Sequence, residues 1–117
     1  MKGPKSFILS NGDCSFSDAV KEISPYGKEI HKERFYNWTF CWNGAEYFNE
    51  FSFSIDSDLI IVAGHPRPLT SQYKISMDWM TDEWSKDKFS VLNQLCGSFT
   101  IIEINANKNS ITIYNNS

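Results

Sequence analysis

Two stretches in the middle of the chain alternate apolar and polar residues with a period of two, as a strand with one buried face does. Over residues 31–42 the alternation sets Tyr36, Trp38, Phe40 and Trp42 on one side. Over residues 46–55 it sets Tyr47, Phe51, Phe53 and Ile55 on one side and Glu46, Glu50, Ser52 and Ser54 on the other. Between the two lies Asn43-Gly44, the pair favoured in a two-residue type I′ turn because both positions need φ > 0. The pattern predicts a hairpin that pairs Phe40 with Tyr47 and Tyr36 with Phe51. Such a register joins the two aromatic faces into one.

The flanking segments fill in the fold class. Phe7-Ile8-Leu9 reads as a short strand ending in a turn at Ser10-Asn11-Gly12-Asp13. Residues 17–23 can form about two helical turns, stopped before Pro25 because the residue preceding proline avoids helix. A turn at Asp56-Ser57-Asp58 leads into residues 58–63, apolar without alternation, which predicts a strand covered on both faces. Gly64-His65-Pro66-Arg67-Pro68 reads as loop, since two prolines interrupt a ladder. Residues 81–95 read as a helix, with Asp82 and Glu83 near its start, Val91, Leu92 and Leu95 on one face and Gly97 just past its end. Residues 98–104 and 110–114 close the chain as a second hairpin around Asn105-Ala106-Asn107-Lys108-Asn109. The sum is a single α+β domain of layered, mainly antiparallel sheets, with about six strands and two helices.

Bulk composition narrows the function classes. The chain has 117 residues, enough for one core, and a net charge of −3 spread over both signs. No Lys/Arg cluster is available to neutralise phosphates, so neither nucleic acid nor an anionic membrane surface is expected as a partner. The longest apolar run, Leu59-Ile60-Ile61-Val62-Ala63, is far too short to span a bilayer, and no apolar stretch follows the charged N-terminus as in a secretory signal. Cys14, Cys41 and Cys96 are odd in number and lack a CxxC spacing, which reads as reduced thiols in the cytoplasm.

Candidate chemistry is sparse. His31 and His65 stand alone, with no Cys or carboxylate at ligand spacing, so no metal site and no cofactor are expected. Asp56-Ser57-Asp58 lacks the further oxygen ligands a hard cation needs and is explained by Asx turns. Cys96 falls near a helix C-terminus, where the dipole raises a thiol pKa, and reads as structural. No catalytic set emerges from these residues.

The last third nevertheless resembles the N-terminal, class II glutamine-amidotransferase domain of asparagine-synthetase-like proteins. The residues that carry the resemblance are Leu95-Cys96-Gly97-Ser98-Phe99-Thr100-Ile101-Ile102-Glu103-Ile104, then Asn107-Lys108 and Ile111-Thr112-Ile113-Tyr114. They follow the family pattern of a helix ending in Leu-x-Gly-x-Phe, a strand, a polar turn and a second strand. Leu59-Ile60-Ile61-Val62-Ala63-Gly64-His65-Pro66 looks like the preceding strand and turn of degenerate members, and Met1-Lys2-Gly3 is similar to the family's Met-Cys-Gly start. The resemblance implies part of an Ntn-hydrolase αββα sandwich. It also implies binding roles for Arg67, which echoes the arginine that holds the glutamine carboxylate, and for His65.

The departures from the family are chemical. The family's nucleophile is the cysteine exposed on removal of the initiator Met, with its own α-amine as base; here that position is Lys2. Asn43-Gly44-Ala45-Glu46 only partly matches the Asn-Gly-Glu motif, and the Ser-Gly-Gly-x-Asp-Ser pyrophosphate loop of the synthetase half is absent. The resemblance therefore implies a degenerate glutaminase-like domain over residues 1–117, incomplete at its C-terminus and without catalytic residues. Its expected role is a scaffold or interaction domain of an ATP-dependent amide-forming protein of the asparagine synthase (glutamine-hydrolysing) type. The alternative is a free-standing protein-binding module such as an immunity or inhibitor protein. Partners expected on these readings are a synthetase domain, another protein or a second copy of the chain, with Ile111, Ile113 and Tyr114 on an exposed edge or face.

Overall fold

A computed structural model describes residues 3–11, 30–70 and 75–116. Its strands are β1 (Ser6–Asn11), β2 (His31–Phe35), β3 (Trp38–Asn43), β4 (Ser52–Ile55), β5 (Asp58–Gly64), β6 (Arg67–Pro68), β7 (Leu95–Cys96), β8 (Phe99–Asn105) and β9 (Ser110–Asn116). The helices are α1 (Met77–Lys86) and α2 (Lys88–Asn93), with one 3-10 turn at Phe48–Glu50. Three strands form an antiparallel sheet in the order β1-β3-β2, four form a second in the order β4-β5-β8-β9, and β6 pairs with β7. The α+β class and the antiparallel layering expected from the sequence are present.

The two larger sheets lie face to face, and the helices cover the outer face of the four-stranded one. Strand β5 makes this stack possible because its side chains are apolar on both faces. Ile60 and Val62 pack with Phe53, Met80, Trp84, Val91 and Ile101 under the helices. Leu59 and Ile61 pack with Phe40, Trp42, Phe51, Ile102 and Ile104 between the sheets. The unalternated run thus serves two cores, as the sequence predicted.

The central hairpin is different from the expectation. Residues 31–42 are not one strand: they fold back at Tyr36-Asn37, where Tyr36 takes φ 53° and stands 62% exposed. Strand β3 then pairs with β2 on one side and β1 on the other. Both of its edges are used, so residues 46–55 have no place beside it. Asn43-Gly44 is accordingly not a hairpin turn, although Gly44 does take a positive φ of 89°. A Cβ on Gly44 would fall 2.6 Å from Lys5 Cγ, so glycine also admits the start of β1 there.

The chain leaves Gly44 through a loop pinned by Trp42 Nε1, which donates to Ala45 O at 2.8 Å, and crosses to the second sheet. Only Ser52–Ile55 of the expected second strand is paired in a sheet. The aromatic faces still meet, now across the inter-sheet gap, with ring centroids of Trp42 and Phe51 5.4 Å apart and of Phe40 and Phe51 6.1 Å apart.

Other elements shift less. The helix starts earlier than residue 81, because Ser76 supplies the cap, its Oγ accepting from Trp79 N at 3.1 Å. It breaks at Asp87, whose extended backbone and side chain cap α2 by accepting from Phe89 N at 3.1 Å. Leu95, expected in the helix, lies in β7 and is buried. Arg67-Pro68, expected as loop, forms a two-residue ladder with Leu95–Cys96, short enough to accommodate proline. The hairpin β8–β9 and the turn at Asp56-Ser57 are as expected, whereas the first strand runs on through Ser10 and Asn11, expected in its closing turn, because both pair with β3. The helix expected over 17–23 and the Gly12-Asp13 end of the first turn lie outside the described residues.

Candidate functional site

At one end of the two-sheet stack, three segments converge on a cleft of about 360 Å³. Gly3, Pro4, Lys5 and Phe7 come from the first strand and its approach, Ala63, Gly64 and His65 from the end of β5, and Ser98, Phe99 and Thr100 from the start of β8. Gly64 permits the approach of the last two: at φ 90° its absent Cβ would lie 2.6 Å from Ser98 O and 2.9 Å from Phe99 Cα. His65 N then donates to Ser98 O at 2.7 Å. Asn43-Gly44 adjoins the same place through Lys5, whose N donates to Asn43 O at 3.0 Å.

Of the two residues singled out for binding, His65 lines this cleft and Arg67 does not. Arg67 lies exposed in β6 beside Gly97, where a Cβ would sit 2.6 Å from His65 O and 3.3 Å from Arg67 Nε. The cleft instead brings His65 together with Lys5, Ser98 and Thr100. Thr100 Oγ1 donates to Asn115 Oδ1 at 2.9 Å, and among the described residues no hydrogen bond joins the His65 ring to either hydroxyl. Neither described thiol is part of the lining. Cys41 is buried in β3, and Cys96, only half-buried, points its Sγ at Pro68 O, 3.7 Å away. Among the described residues no three His, Cys, Asp or Glu side chains gather as a metal would need.

A second, larger cleft of about 490 Å³ opens where the edges of β2 and β4 diverge. Glu33, Arg34 and Phe35 line it together with Ser52 and Ser54, the Tyr47-Phe48-Asn49 segment and Leu59. Burial does little at the exposed Tyr47; the Glu46 carboxylate beside it is what raises its phenol pKa. Sequence reading missed this cleft because the hairpin it expected would have closed it. The available signal was the crowding of Phe48, Asn49, Glu50 and Phe51, which interrupts a strict alternation.

A third polar group lies on the helix side. Glu103 Oε1 accepts from Lys88 Nζ at 3.0 Å and from Tyr114 OH at 3.1 Å. The bond to Glu103 raises the Lys88 pKa, and burial raises that of Tyr114. Burial, then the Glu103 charge, also raises Asp58. These groups tie α2 to β8 and β9.

No protein-family model, no curated protein and no solved structure matches the chain. Among the described residues no helix is long and apolar enough to cross a membrane.

Proposed function

We propose that this chain is a non-catalytic scaffold domain for an asparagine-synthetase-like, ATP-dependent amide-forming partner. One observation carries the reading. The segments on which the resemblance rests, far apart in sequence, meet at the cleft of Gly3, Lys5, His65 and Ser98, with Asn43-Gly44 alongside. In a working glutaminase of that type such a place would hold the nucleophile. Here the sequence has Lys2 at the nucleophile's position, and no described thiol lines the cleft. A layer of helices on one of two facing sheets is also what part of an αββα sandwich would require. We read the chain as cytoplasmic, in keeping with an odd number of cysteines that lack a CxxC spacing.

The test has two parts. The purified chain, given glutamine, is expected to release no ammonia or glutamate. Turnover abolished by replacing Cys14, Cys41 or Cys96 would show that one of those thiols is a nucleophile and would overturn the reading. Co-expression with the product of a neighbouring frame carrying Ser-Gly-Gly-x-Asp-Ser is expected to yield a stable complex.

The cleft between β2 and β4 favours a second reading, a free-standing protein-binding module of the immunity or inhibitor kind. Its open mouth and the exposed Tyr47, an aromatic with a polar tip, suit a protein partner. A toxin gene beside this one, and inhibition of its product by the purified chain, would favour that reading over the scaffold.

A further inference from the structure

Strand β9 is an edge strand of the four-stranded sheet, paired only with β8 among the described residues. Its hydrogen-bonding direction follows from bonds elsewhere in the sheet. His65 N donates to Ser98 O, and Ala106 N to Ser57 O, which makes the even-numbered residues of β8 the ones bonded to β5. The odd-numbered residues of β8 therefore bond to β9, and their opposite numbers are Ser110, Thr112, Tyr114 and Asn116. Ile111, Ile113 and Asn115 are left with backbone N–H and C=O groups pointing away from the sheet. Among the described residues no strand meets them.

Soluble proteins usually protect such an edge with charge, proline, a bulge or shortness. Strand β2 carries Lys32, Glu33 and Arg34, β4 has only 4 residues, and β1 is half-buried along most of its length. Strand β9 runs for 7 residues, Ser-Ile-Thr-Ile-Tyr-Asn-Asn, with no charge and no proline. Its register with β8 is one-to-one from Ser110 to Asn116, without a bulge. Ile113 stands 56% exposed on one face of this edge. On the other face Phe89, 59% exposed, is near the edge through Lys88, whose Nζ lies 5.7 Å from the Phe89 ring and 5.9 Å from the Tyr114 ring.

We propose that two copies of this chain join β9 to β9, antiparallel, about a two-fold axis at Ile113. The occupant is a second copy because the strand is complementary to itself in that register. Ile113 meets Ile113 of the second copy, Ile111 meets Asn115, and Thr112 meets Tyr114, so each side chain stays on its own face and no charge opposes a like charge. The three outward residues of each strand then exchange six backbone hydrogen bonds, two for each of the three facing pairs. The product is a continuous eight-stranded sheet, two copies of the 4-stranded one. This pairing stands independently of the scaffold reading, since it uses neither cleft.

Light scattering after size exclusion, over a concentration series up to about 1 mM, is expected to show the mass doubling in the micromolar range that small interfaces reach. Ile113→Lys sets two like charges directly opposite each other and is expected to keep the chain monomeric, with an unchanged far-ultraviolet circular dichroism spectrum. Mild oxidation of Ile113→Cys is expected to give a 113–113 disulfide, identified by peptide mass spectrometry, because directly paired strand residues sit at disulfide distance. Ile111→Cys, which the register offsets from its own copy, is expected to give far less. A monomer throughout the series overturns the proposal. So does a dimer that survives Ile113→Lys, or cross-linking equal at the two sites.

Discussion

Trp38 and Trp42 lie four residues apart on the same side of β3, pack on the same inter-sheet core, and differ in what their indole N–H groups do. Trp42 Nε1 donates to Ala45 O at 2.8 Å, whereas Trp38 Nε1 is buried without a partner among the described residues. Replacing either with Phe removes similar apolar volume, but only Trp42→Phe leaves a buried carbonyl without its donor. That loss adds about 1–3 kcal/mol. In urea melts Trp42→Phe is therefore expected to be clearly the more destabilising. Equal losses would mean that the loop after Gly44 is not held by this bond. The aromatic alternation in the sequence identified these tryptophans as one face and was silent on their donors, because a donor's partner depends on where the chain goes next.

Among the elements, helix α2 is fixed to the sheet by Lys88, whose ammonium sits on a Glu103 side chain only 11% exposed. Lys88 itself is 35% exposed, so solvent screening limits its worth to about 1 kcal/mol. The bond raises the Lys88 pKa above 10.5, which means that the folded state holds this proton more tightly than the unfolded one. Its stabilisation is complete at lower pH and is lost as the pH rises through the folded value. Lys88→Met is expected to be less stable than the native chain near pH 7, with the difference shrinking as the pH rises through the raised folded value of Lys88. A gap that persists in alkali would assign the loss to packing of the lysine stem.

Element types were legible where a pattern had one physical cause. The apolar run of β5 could only be a strand covered twice, and the β8–β9 hairpin carries polar residues at its turn. Asn43-Gly44 misled because its local preference is real, as the positive φ of Gly44 shows, while the partner of β3 was decided by β1, which is far away in sequence. The cleft around His65 was visible as segments and not as a place, since only the close approach at Gly64 assembles it. The β2–β4 cleft left almost no trace, being made by two sheets parting.

For the molecule as a whole, β5 lies within both cores, through Ile60 on one face and Ile61 on the other. Both are fully buried, so Ile60→Ala and Ile61→Ala are each expected to cost about 2–5 kcal/mol. Each is expected to shift one and the same thermal transition, whether followed by helix signal or by tryptophan fluorescence. Two separate transitions would show the helical layer melting apart from the sheet pair.

Pairing of β5 with β8 matches Gly64 to Phe99 at one end and Asp58 to Asn105 at the other, a span of 35 to 47 residues along the chain (99 − 64 and 105 − 58). Both helices lie inside that span, so they gain their packing surface only after a long loop has closed. Closure of that kind is entropically expensive before it is rewarded, and it slows the search for the native state. Refolding therefore belongs in the millisecond-to-second range of strand-rich domains, with the transition state sensitive to β5 and β8 and indifferent to the caps of α1.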